Sequence, residues 1–291
     1  MIADQKDFIT PHITDGHTLD YPCLTDAPHW YQRIVPQACE YELPRWNPIH
    51  IGSHALDISP TRHVVMLWVA ALLCIVTTLL ALRAHNRKTR EGKAPSGFGN
   101  GLEALVLYLR NEVVLPNVGP HGNAFVPYLL TVFFFILFAN LLGLIPYGAT
   151  ATGNISVTAT LAIVTFFVIE GAGIKAQGRA YVNTIVFWPH DMSLGMKIFI
   201  SPILTPIEII GKLTKPFALA IRLFANMISG HVVLLALISL IFTFATWILV
   251  PLPIAMALGI SLLELFVAFL QAFIFMLLSS VFIGLIREGA H

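Results

Sequence analysis

The sequence predicts an all-α integral membrane protein of about five membrane-spanning helices, with one amphipathic helix on the cytoplasmic surface and the last two spans long and tilted. Three observations predict it. Of 291 residues, 56% are hydrophobic and 11% charged, against roughly 45–50% and 25% in soluble domains. Apolar runs near 64–82, 124–146, 155–174, 198–245 and 253–286 reach the roughly 20 residues a helix needs to cross a bilayer. After residue 197 the only acids and bases are Glu208, Lys212, Lys215, Arg222, Glu264, Arg287 and Glu288.

Residues 1–63 stand apart, with eight acids, four bases, six histidines and seven prolines and no run long enough to span. They predict a polar periplasmic N-terminal region, ahead of a membrane domain over 64–291. No basic segment and cleavage pattern precede the first span, so that helix must carry the N-terminus across by itself. Cys23, Cys39 and Cys74 match no metal-ligand spacing. A Cys23–Cys39 disulfide arises only if the tail faces an oxidising compartment.

Basic residues in short loops set the orientation. Arg83, Arg87, Lys88, Arg90 and Lys93 follow the first span, Lys175 and Arg179 follow the third, and Arg287 follows the fifth. The loop Gly148 to Asn154 and the turn Pro251-Leu252-Pro253 carry none. This alternation puts the N-terminus in the periplasm and the C-terminus in the cytoplasm of a bacterial inner membrane. Between the first two spans, Leu102, Leu105, Val106, Leu109 and Val113 recur at helical spacing, with Glu103, Arg110 and Glu112 on other faces. That pattern predicts the surface helix. The final run, 253–286, would extend about 51 Å as a helix, so it must tilt or bend.

A charge at the bilayer centre costs from about 2.5 to more than about 10 kcal/mol, which makes an intramembrane ionisable group a functional candidate. Arg222 is the sharpest one. It lies deep in an apolar run, in the stretch Lys215-Pro-Phe-Ala-Leu-Ala-Ile-Arg-Leu-Phe-Ala-Asn-Met-Ile-Ser-Gly-His231. A structural salt bridge to a membrane acid such as Glu264 is the plainer alternative. Helical geometry puts Glu208 on nearly the same face as Arg222, about 21 Å away, and Asn226 one turn beyond it. His231 falls about 13.5 Å from Arg222 on the opposite side, toward the outside. On the antiparallel last helix Glu264 and Gln271 share a face about 10.5 Å apart, so Gln271 falls near the depth of Arg222 when Glu264 falls near that of His231.

Two polar clusters with a permanent cation between them follow from this spacing. A histidine and a carboxyl removed from water can exchange a proton near neutral pH, which suits His231 and Glu264 to an outer half-channel. Glu208 suits an inner one. Arg222 does not release its proton, so it acts as a fixed charge rather than a relay.

The stretch Lys215 to His231, with Asn140-Leu-Leu-Gly-Leu-Ile-Pro146 and Leu270-Gln-Ala-Phe-Ile-Phe-Met276, resembles the signature regions of the ATP synthase a subunit family over roughly residues 63–288. The resemblance implies that Arg222 faces the essential carboxylate of a rotating c-ring. It also implies that Asn226, Gln271 and Glu208 lie in or beside the proton path within 198–286. Some bacterial members of the family carry an acid at the position of His231 and a histidine at that of Glu264; here the pair is exchanged. The implied role is that of a proton-translocating stator subunit with two offset half-channels, partnered by the c-ring and b subunits and by membrane lipid. It would need no cofactor, metal or nucleic acid and have no catalytic activity alone.

A secondary proton-coupled transporter is the competing reading. It calls for inverted repeats and paired interrupted helices, and the sequence shows one polar helix pair without such symmetry. A self-sufficient channel calls for a symmetric pore, and Arg222 opposes cation passage.

Overall fold

The structure, a computed structural model, describes residues 15–23, 37–46, 49–51, 54–56, 59–90, 97–145, 150–181, 194–244 and 250–288. Lys93, Pro146 and Gly148 lie outside the described residues, as do the side chains of Cys23, Cys39, Arg87, Lys88, Arg90 and Arg179.

The N-terminal segment forms two small antiparallel hairpins. Strands β1 (Thr18–Cys23) and β2 (Gln37–Glu42) pair with Thr18 opposite Glu42, and β3 (Ile49–Ile51) pairs with β4 (His54–Leu56). The register sets Cys23 opposite Gln37 and Cys39 opposite Tyr21, so the two cysteines are diagonal rather than facing positions.

Seven α-helices follow among the described residues: α1 (Arg62–Arg90), α2 (Phe98–Tyr108), α3 (Leu115–Val118), α4 (Val126–Gly143), α5 (Ile155–Gln177), α6 (Leu194–Phe244) and α7 (Pro251–Glu288). Five of them, α1, α4, α5, α6 and α7, are long and apolar enough to cross a membrane. The chain is an all-α integral membrane protein. Each apolar run of the sequence becomes one of these helices, with ends shifted by a few residues at most except at the basic end of α1. Gly143 and Pro251 mark where they stop and start, as residues suited to helix ends do. At 1.5 Å per residue α6 extends about 77 Å and α7 about 57 Å, well beyond the roughly 30 Å hydrocarbon core. Three prolines, Pro202, Pro206 and Pro216, lie inside α6, and each removes a backbone donor from its ladder.

The surface helix expected between the first two spans is longer than its apolar pattern. A wide π turn, Leu109–Val114, joins α2 to α3, and Leu109, Val113, Val114 and Val118 are buried. Pro116 supplies the reason for an irregular turn here, because its ring has no N–H to continue the ladder.

Contacts divide the chain into two compact units. The first holds the described parts of Met1–Ile75 with Phe135–Asn154 and Ala225–Phe269. Within it, the tail docks on the start of α1: Arg62 N–H donates to Gly16 O at 2.9 Å, Trp46 N–H to Ser59 Oγ at 2.9 Å, and Leu43 N–H to His17 O at 2.7 Å. Asp15 meets His63 Nδ1 at 2.9 Å, and Asn154 lies 3.5 Å from Asp15. The second unit holds Val76–Phe134, Ile155–Phe224 and Leu270–His291 in their described parts. There Tyr128 on α4 and Thr165 on α5 share a 2.9 Å hydrogen bond, and Arg287 donates to Val118 O at 2.9 Å and to Pro120 O.

Candidate functional site

The polar positions singled out by the sequence lie on α6 and α7, and burial sorts them by helix. On α6, Leu219, Leu223 and Met227 recur every four residues and are buried. Arg222 and Asn226, each one position earlier, are exposed, and so is Glu208. His231 is half-buried. On α7 the buried stripe runs Glu264, Ala268, Gln271, Ala272, Phe275, Met276, Ser279, Ser280 and Ile283. Glu264 and Gln271 are 5% and 4% exposed, so both face inward on one side of their helix.

Arg222 makes no hydrogen bond or ion pair among the described residues. The exposed residues within about 40° of it around α6 are mostly polar or small, namely Glu208, Lys215, Ala218, Asn226 and Ser229, while Ile207, Ile210, Leu213, Phe217 and Ile221 expose apolar surface on the other sides of the same helix. An exposed guanidinium on a helix apolar enough to span calls for a counter-charge from beyond the described residues.

In the first unit, Glu264 closes on α6 at Gly230, the residue before His231. A methyl group added to Gly230 would lie 2.7 Å from Glu264 Oε1 and 3.0 Å from its Cδ. Only a glycine leaves room for the carboxyl there. Oε1 of Glu264 is buried with no hydrogen-bond partner among the described residues, so through that oxygen it does not bond an imidazole of those residues. One turn further along α7, the Ala268 carbonyl accepts from Asn140 Nδ2 at 3.3 Å. Asn140 Oδ1 in turn accepts from Thr152 Oγ1 at 2.7 Å, and both residues are wholly buried. Asn140 thereby ties α4 to α7 close to the Glu264 carboxyl.

In the second unit, Lys212 of α6 reaches across to α5. Its Nζ is 3.6 Å from Glu170 Oε2 and 3.3 Å from the Tyr181 hydroxyl, with the Tyr181 ring centroid at 4.6 Å. Lys215 Nζ lies 5.1 Å from the ring centroid of Phe282 on α7. The sequence reading passes over Glu170, although an acid inside an apolar span is the same signal that singles out Glu264. It passes over Thr152 and Gly230 with better reason, since nothing local marks a threonine or glycine as facing a polar group on another helix. Among the described residues, no three His, Cys, Asp or Glu side chains stand together as metal ligands would.

A family model described as ATP synthase A chain matches residues 64–284. The chain belongs to the ATP synthase A chain family. It is 44% identical over 274 residues to an ATP synthase subunit a of Chloroherpeton thalassium, spanning 94% of this chain and 74% of that protein. It is 49% identical over 287 residues to the ATP synthase subunit a 2 of Chlorobaculum tepidum, at 97% and 74% coverage. A Myxococcus xanthus ATP synthase subunit a is 42% identical over 272 residues, at 91% and 86% coverage. All six candidate residues fall inside the ATP synthase A chain match, as do Asn140, Glu170, Lys212 and Gly230, whereas the docked tail precedes it.

Proposed function

We propose that this chain is the proton-translocating stator subunit a of a rotary ATP synthase, with two offset half-channels meeting at Arg222. The observation that carries the reading is an exposed arginine, without a partner among the described residues, on the open face of a helix apolar enough to span a membrane. A carboxylate on a partner that moves past this face is the complement such a charge needs. A ring of c subunits supplies one per subunit.

On this reading a proton enters from the periplasm past His231 and Glu264 and neutralises a ring carboxylate. The neutral site then enters lipid, which a charged one does only at high cost. After almost a full turn the proton leaves near Glu208 into the cytoplasm. Arg222 keeps the two paths apart because it never gives up its proton, and Asn226 and Gln271 lie in or beside the path. The drive is about 2.3 kcal/mol per proton for each 100 mV. The subunit catalyses nothing alone; ATP synthesis belongs to the whole complex, held together through the c-ring and the b subunits.

Residues 1–63 form, on this reading, a periplasmic region on a membrane domain of residues 64–291, with the C-terminus in the cytoplasm of a bacterial inner membrane. The run of bases after α1 supports that orientation. Family membership counts against the transporter reading, which lacks any sequence feature of its own. Reconstitution into vesicles tests the proposal. The chain alone should conduct no protons under an applied potential, and adding the c-ring and b subunits should produce conduction. Conduction by the chain alone would sink it, and so would silence of the assembled sector.

A further inference from the structure

Glu208 and Lys212 stand four residues apart on α6, with the acid on the N-terminal side. That is the favourable arrangement for an ion pair within one helix. Lys215, seven residues on from Glu208, lies on nearly the same face. From local sequence alone, Glu208 should therefore be neutralised by a neighbouring lysine. The structure gives both lysines to other helices. Lys212 reaches Glu170 at 3.6 Å and Tyr181 at 3.3 Å, and Lys215 sits 5.1 Å from the Phe282 ring. Glu208 is left exposed, without a hydrogen bond or ion pair among the described residues.

Lys212 and Glu170 are only 13% and 17% exposed, which favours this pair over an exposed one on a single helix. Gly173, three residues after Glu170 and on the same side of α5, makes the site possible. A methyl group there would lie 2.7 Å from the Tyr181 ring, so the glycine lets that ring close on α5 beside Glu170 and back the ammonium. Two other described bases of this unit are placed elsewhere. Arg287 is engaged with Val118 O and Pro120 O, and Lys175 is exposed on the last turn of α5.

We propose that Glu170 is a positioning residue that draws the Lys212 ammonium away from Glu208 and so keeps Glu208 an unneutralised proton acceptor. A carboxylate with an ammonium beside it takes up a proton less readily. With Lys212 turned onto it, Glu208 would cease to pass protons between the ring and the cytoplasm. The inference rests on the reading of Glu208 as the inner proton-path carboxylate.

ATP-driven proton pumping in inverted membrane vesicles carrying the whole complex tests it, with subunit a levels measured alongside. Glu170→Gln releases Lys212, and pumping should fall at least about fivefold at an unchanged level of the subunit. Lys212→Met should stay within about twofold of wild type, and Glu170→Gln with Lys212→Met should return to the same range, since Lys212 is no longer there to be misdirected. A helix tie would behave differently, with all three variants equally impaired; that outcome overturns the proposal, as does normal pumping by Glu170→Gln. Should Glu170→Gln fail to reach the membrane, the other two variants still decide, because loss of pumping in either one contradicts the inference. Arg222→Ala in the same vesicles separates the two levels. If it is silent while Glu170→Gln pumps normally, only the Glu170 inference fails; if it pumps, the reading of the chain as subunit a fails with it.

Discussion

Helices α6 and α7 carry the six polar positions of the proposed proton path, and they present them in opposite ways. On α6, Glu208, Arg222 and Asn226 are exposed along one side of the helix; on α7, Glu264 and Gln271 are buried in an inward stripe with Ala268, Ala272 and Phe275. The difference separates two kinds of polar group within one path. Of those on α6, Glu208 and Arg222 have no partner among the described residues and need something beyond them for completion, because an ionic group exposed on a spanning helix is costly in lipid. Those of α7 are held by the chain itself, Glu264 against Gly230 and its helix by the Asn140 amide. Variants on α6 should therefore fail by losing a partner while the subunit stays intact, and variants around Glu264 should fail by disturbing an internal fit.

Arg222→Ala offers the largest break. It removes the fixed charge without touching the buried stripe of Leu219, Leu223 and Met227, so the subunit should assemble normally while ATP-driven pumping and ATP synthesis fall to background. Arg222→Lys should be a poor substitute, since an ammonium is a compact charge that gives up its proton more readily on burial than a guanidinium does. Coupled activity near wild type in Arg222→Ala membranes would show that α6 needs no external counter-charge.

His231 and Glu264 give the next effect, because they join the half-buried end of the α6 series to the buried α7 series. His231→Glu sets two carboxyls at one level and Glu264→His sets two imidazoles there, and like groups cannot both carry charge at close range. Each single change should cut pumping about tenfold, and the double exchange should recover several-fold over either, a non-additivity expected of coupled residues. A double exchange worse than both singles would separate the two residues and leave Glu264 acting with Gly230 alone.

How far the molecule was legible in its sequence follows the same division. Spans are written in runs of apolar residues, so α1 and α4 to α7 could be read almost to their ends, the basic end of α1 excepted. Arg222 and Glu264 stand out because ionic groups are rare in such runs. The β1–β2 and β3–β4 hairpins were not legible, since residues 1–63 mix proline, histidine and charge without a clear alternation of faces. Contacts between helices were illegible for a different reason. That Lys212 pairs with Glu170 rather than with Glu208 depends on which side of α6 packs on α5, and the favourable spacing along α6 points to the wrong partner. Likewise the Asn140–Ala268 hydrogen bond spans 128 residues, and no periodicity carries it.

Gly230→Ala sharpens the comparison with the smallest change of all, one methyl group. On an exposed helical face, replacing glycine with alanine favours the helix by up to about 1 kcal/mol. Gly259 of α7 is such a place, with nothing within 4 Å of an added methyl group. At Gly230 the same methyl group would meet Glu264 at 2.7 Å from Oε1, closer than packed atoms tolerate, and at 3.0 Å from Cδ and 3.1 Å from Cγ, which is tight. Either the carboxyl swings away or α6 and α7 separate locally, and in both cases the level match between Glu264 and His231 is disturbed. Pumping should fall about three- to tenfold in Gly230→Ala, with assembly at most slightly reduced, since overpacking by one methyl group is a small perturbation. Gly259→Ala should pump like wild type. Equal pumping by the two variants would mean that the tight seat of Glu264 is a packing accident; a selective loss at Gly230, relieved by shortening the acid with Glu264→Asp, would tie that seat to proton transfer.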